Sequence, residues 1–127
     1  MPGDMHLFNK GDMVNIKQEL VSRKCRACEG ESAVLSDAER ARYLEGLPEW
    51  ELSDTGASLV REYRMRSFKE VMALVNQVAE LAESEGHHPD IHLTNYRHLR
   101  IELSTHVIGG LSENDFIMAA KIDGLGD

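Results

Sequence analysis

A chain of 127 residues is long enough to bury one sizeable core without help from disulfides or metals, so a single domain is expected. Its 42% hydrophobic content is that of a soluble globular protein, and no apolar run nears the roughly 18–20 residues that span a bilayer, which argues against a membrane protein. A formal charge of −8 without a basic face excludes direct nucleic-acid binding, and the lack of a secretory apolar core near the start makes the cytoplasm the expected location.

Residues 1–34 are expected to form an N-terminal arm and residues 35–127 the domain proper. Val14, Ile16, Leu20 and Val21 are apolar positions scattered among charges, which suits a short helix lying on the domain or a frayed arm. Cys25 and Cys28 make one C-x-x-C, which supplies two zinc ligands where a structural site needs four. Two reduced thiols is the plain reading. Redox chemistry, or a metal completed by a second subunit or by nearby histidines, is the alternative. Glu29-Gly30-Glu31-Ser32 then reads as a linker.

Ser36 followed by Glu39 is a capping-box pattern, opening a helix that runs to about Glu45. Gly46 can adopt the left-handed conformation that ends a helix, and Pro48 prevents its continuation. A strand near Trp50 to Ser53, turn chemistry at Asp54-Thr55-Gly56 and an alternating run from Leu59 to Met65 predict a hairpin. Ser67 with Glu70 repeats the capping pattern. Behind it Val71, Leu74, Val75, Val78, Leu81 and Ala82 recur at the spacing of an amphipathic helix that ends at Gly86. Ile91 and Leu93, then Leu99, Ile101, Leu103 and Thr105, alternate with polar residues, giving a second hairpin turning around Asn95 to Arg97. Gly109-Gly110 breaks the pattern. Ser112 with Asp115 starts a last helix carrying Phe116, Ala119, Ala120 and Ile122. The order α-β-β-α-β-β-α predicts a two-layer α+β domain, a four-stranded antiparallel sheet with helices on one face. Leu99, Ile101 and Leu103 point under the helices, leaving Arg100, Glu102 and His106 on the open face.

The stretch from Glu83 to Asp115 holds five of the six histidines. Histidine exchanges protons near neutral pH, so this crowding points to proton transfer. Pro89 holds His88 extended, which turns His87 and His88 to opposite sides. They are then a poor pair for one metal ion, but with His106 they offer an acid, a base and a polar anchor around a flat ligand. Glu83, one helical turn before His87, is placed to orient an imidazole. Simpler roles stand beside these. His92 and His98 suit a solvated surface, and the His87-His88-Pro89 group suits a helix-ending turn. Trp50 and Tyr96 suit the core or a hairpin, and Asp115 suits a helix cap.

Glu83, three residues, His87-His88-Pro89, six residues, Tyr96, nine residues, His106, eight residues and Asp115 reproduce a family pattern. With the L-P-E-W entry at Leu47 to Trp50, the R-E-Y-R-M strand at Arg61 to Met65 and the G-G-L-S-E-N-D segment, the chain resembles the pterin-4a-carbinolamine dehydratases from roughly Leu35 to Asp123. The resemblance implies the same α+β fold, assembled as dimers or tetramers. It also implies dehydration of 4a-hydroxytetrahydropterin to quinonoid dihydropterin without a cofactor or metal, in recycling the pterin of aromatic amino-acid hydroxylases. It makes His87, His88 and His106 the pterin-contacting histidines, with Glu83, Trp50 and Asp115 in support and Pro89 and Tyr96 completing the pattern. Some animal members also serve as dimerisation cofactors for a homeodomain activator, so an interaction module with little catalysis is the alternative. A metal site on His87, His88, His92, His106 or the cysteine pair is a third, and its spacing lacks a zinc signature.

Overall fold

The structure is a computed structural model that describes residues 10–26 and 34–125; His6, Cys28 and the predicted linker at 29–32 lie outside these, as does the Val14 side chain. Four helices, α1 (Lys10–Val21), α2 (Asp37–Glu45), α3 (Phe68–Glu85) and α4 (Glu113–Asp123), accompany four strands, β1 (Glu51–Leu52), β2 (Leu59–Arg64), β3 (Asp90–Thr94) and β4 (His98–Leu103). The strands form one antiparallel sheet in the order β1-β2-β4-β3. This is the α+β architecture expected from the sequence, with one helix more at its start.

The alternation along β4 carries the core. Leu99, Ile101 and Leu103 are buried and the residues between them half-buried. They join Val71, Leu74, Val78 and Ala82 from α3 and Phe116, Ala119, Ala120 and Ile122 from α4 in one apolar cluster. On the other sheet face only Val60, which faces Glu51 and Glu102 across the strands, is buried.

α4 is buried nearly all round, Ile117 and Met118 included. The cause is α1, which packs on α4 and α2 and sends Ile16 and Leu20 into the same core. Gly46 makes that contact possible. Its φ of −84° is right-handed, contrary to the left-handed cap expected there. A Cβ at Gly46 would lie 2.5 Å from Ile16 Cγ2, so the glycine serves close approach and not chain reversal.

The N-caps follow the sequence with one exception. Ser36–Glu39 and Ser112–Asp115 form complete capping boxes. Ser67 accepts the Glu70 N–H as expected, but the Glu70 carboxylate bonds the backbone and guanidinium of Arg66. Trp50 is buried, and its indole N–H donates to Asp123 at 2.8 Å, tying the first hairpin to the end of α4.

Candidate active site

Gly86 ends α3 in the left-handed conformation, φ 69°, with its N–H on the Ala82 carbonyl. The chain reverses there and delivers His87 and His88 in the short stretch before β3. After β4 the chain makes a small loop closed by Thr105 and Gly110, whose backbones bond in both directions. Inside it a single 3₁₀ turn, His106–Ile108, carries His106. The sequence places His106 at the end of the fourth strand. The strand ends at Leu103, because Gly109 at φ 68° and the Thr105–Gly110 bridge fold the chain back on itself.

These segments meet around a cavity of about 470 Å³ lined by His87, His88 and His106, with Thr105, Cys25 and Asn114 among its walls. That is within the size range of small-molecule sites. A larger groove of about 590 Å³ runs over the open sheet face and shares Ser104, Thr105 and His106 with it, but neither His87 nor His88. The smaller cavity is the candidate because all three histidines line it.

His87 is the fixed member. Its Nε2 lies 2.6 Å from Asp115 Oδ1, and their side chains are 12% and 0% exposed. The other carboxylate oxygen of Asp115 accepts from the Thr105 hydroxyl at 2.8 Å and the Ser112 N–H at 2.9 Å. Asp115 is therefore a helix cap and the partner of His87 at once. A carboxylate can only accept, so Nε2 carries a proton, and Nδ1 is the nitrogen left to give or take one. His88 is 61% exposed and lies 2.5 Å from the carboxylate of Glu83, itself 77% exposed. The sequence pairs Glu83 with His87, one helical turn on; the left-handed Gly86 takes His87 out of helical register and brings His88 to Glu83 instead. His106 is exposed.

Pro89 is half-buried behind His88. Trp50 belongs to the core and Tyr96 sits 55% exposed on the β3–β4 turn; neither lines the cavity. His92 is exposed and His98 half-buried on the strands of the second hairpin. Among the described residues, no three of His, Cys, Asp and Glu are grouped so as to hold a metal ion.

Thr105 and Asn114 were not singled out by the sequence. Thr105 reads as one more alternating strand residue, yet it is buried with its hydroxyl between Ser112 and Asp115. Cys25 has its Sγ on the Asn114 carbonyl at 3.6 Å. Burial, and then the nearby Glu85 carboxylate, push its thiol up to about 12 from 9.0. It is protonated and inert at neutral pH. In a Cys28→Ser chain, iodoacetamide labelling of Cys25 at pH 8 is expected to be slower by roughly 10³ than after denaturation, the ratio of thiolate fractions; equal rates would contradict the burial. The same shift weakens the fold as pH rises from the unfolded value of 9.0 toward about 12, where only the unfolded thiol ionises.

Comparison with known proteins identifies the family of the chain. A model of the family described as pterin 4 alpha carbinolamine dehydratase matches residues 33–125. The chain is 43% identical to a Methylococcus capsulatus protein named "Putative pterin-4-alpha-carbinolamine dehydratase", over 84% of this chain and 92% of that one. It is 39% identical to Arabidopsis thaliana "Pterin-4-alpha-carbinolamine dehydratase 2, mitochondrial", over 84% of this chain and 59% of that one. The crystal structure of a transcriptional coactivator/pterin dehydratase from Brucella melitensis superposes with a TM-score of 0.68 at 27% identity, covering 73% of this chain and 98% of that one. The three histidines of the cavity thus lie within the segment matched by one family model, and the chain belongs to the pterin-4-alpha-carbinolamine dehydratase family.

Proposed function

We propose that this chain is a 4a-hydroxytetrahydropterin dehydratase, a hydro-lyase that forms quinonoid dihydropterin and water. The observation that carries the reading is the convergence of His87, His88 and His106 on one cavity, with His87 anchored to a buried carboxylate. In the substrate, N5 lies next to the carbon bearing the hydroxyl. Its electron pair forms the C=N bond as the C–O bond breaks, so the enzyme need only protonate the departing oxygen and accept the N5 proton. An imidazolium and an imidazole do both, and the two protons balance over the turnover. His87 and His88 divide these transfers, and His106 holds the hydroxyl. Asp115 fixes the His87 ring and leaves Nδ1 for the exchange, as a carboxylate does for a catalytic imidazole elsewhere. Glu83 steadies His88 from the surface.

The physiological role that follows is recycling of the tetrahydrobiopterin used by an aromatic amino-acid hydroxylase, in the cytoplasm and without a cofactor. The same reading gives the chain a homodimeric or homotetrameric form. The edge strands β1 and β3, with Leu52 and Ile91 exposed, supply free backbone for such pairing. Those edges also support the second reading, an interaction module with little catalysis. The two readings separate in one experiment: folded native chain is added to 4a-hydroxytetrahydropterin generated in situ. Faster loss of water than in buffer is the expected result; an unchanged rate sinks the dehydratase reading.

A further inference from the structure

Residues Arg23–Arg26 precede the segment matched by the family model, which begins at residue 33. They nevertheless form one side of the histidine cavity, which Cys25 and Arg26 line beside His87, His88 and His106. Two buried side chains hold this strap. Asn114 accepts the Arg26 N–H on Oδ1 at 2.9 Å and donates from Nδ2 to the Arg26 carbonyl, so one amide pairs with the strap as a neighbouring strand would. Glu85 accepts the Cys25 N–H at 2.9 Å on one oxygen and pairs with Lys121 Nζ at 2.6 Å on the other. Burial opposes the charge on Glu85, but Lys121 and the Cys25 N–H outweigh it and hold its carboxyl below the usual range.

The positions of these clamps matter. Asn114 immediately precedes Asp115, and Glu85 stands two residues before His87. The strap is thus bonded to the start of α4 and the end of α3, the two points between which the His87–Asp115 contact spans. Burying polar groups this way is costly unless every one is paired, and here the amide and the carboxylate are both paired through the strap backbone.

We infer that the Arg23–Arg26 strap is a wall of the active site and that Asn114 is a positioning residue, which by clamping the strap holds the end of α3 against the start of α4 and keeps the cavity shaped for the pterin ring. This rests on the dehydratase reading of the cavity. Asn114→Ala removes both strap bonds, while its backbone N–H can still reach the Ser112 hydroxyl as it does now. The variant is expected to raise KM, and the Kd for the non-reacting probe 7,8-dihydropterin, by about tenfold with kcat within about threefold of native, the pattern of lost binding and not lost chemistry. Amide hydrogen exchange at Arg26 is expected to quicken with it. Asn114→Asp keeps the acceptor for the Arg26 N–H and should restore part of the affinity. Val78→Ala, a core change on α3, serves as the stability control and should lower Tm without moving KM. If Asn114→Ala lowers Tm but leaves KM and Kd native, or if Val78→Ala raises KM equally, the strap is only a staple and the inference falls. If the native chain neither binds 7,8-dihydropterin nor speeds dehydration, the dehydratase reading falls first and the inference with it.

Discussion

Alanine at His88 or at His87 is expected to lower the dehydration rate by about 10²–10⁴, the usual worth of positioned acid–base assistance. The two variants are expected to differ in everything except activity. His88 is mostly exposed and its partner Glu83 is exposed as well, so removing the ring costs the fold little. His88→Ala should therefore keep the native unfolding midpoint and lose turnover. His87 is nearly buried against Asp115, and its loss strands a carboxylate oxygen in the interior. His87→Ala should lose turnover and stability together. Steady-state rates and urea unfolding of both variants check this; native turnover in His88→Ala would remove that residue from the proton transfers.

Asp115→Ala is expected to destabilise the fold by about 3–5 kcal/mol, the cost of breaking a buried charged network by taking out one member. The side chain is fully buried and serves three donors at once: the His87 ring, the Thr105 hydroxyl and the Ser112 N–H. Without it the Ser112 N–H at the start of α4 and the His87 Nε2–H lose the Asp115 acceptor, and the capping box is gone. Activity should fall with stability because His87 loses its orientation. Asp115→Asn separates the two effects. It preserves volume and one acceptor, so most of the stability should return while the rate stays low. Urea unfolding of the alanine variant within about 1 kcal/mol of native would show that the network is not under the load described.

These two predictions rest on contacts of different legibility. The cap of α4 can be read from Ser112 and Asp115 alone, since three residues separate them and a helix begins there. The other half of Asp115's work cannot be read, because His87 is 28 positions away and only the packing of α3 against α4 brings them together. Alternation along β4 correctly assigned its two faces, because period two survives any change of partner. The pairing of Glu83 with His87 failed because helical spacing stops applying once Gly86 turns left-handed. Gly46 reads as a helix terminator on general grounds; its need lies in Ile16, thirty positions earlier, which no local pattern reveals. The contribution of α1 was obscured in the same way, since a helix with few apolar positions looks detachable until Ile16 and Leu20 are seen filling the core beside α4. Local rules gave the elements; the site is made where distant elements meet.

The most direct measurement is the rate at which 4a-hydroxytetrahydropterin, generated in situ and followed by absorbance, loses water in the presence of equal amounts of native chain and His88→Ala. Acceleration by the native chain that collapses in the variant, with both equally folded, is the predicted result. Equal acceleration by the two would contradict the assignment of chemistry to the histidine cavity, and no acceleration by either would contradict the dehydratase itself.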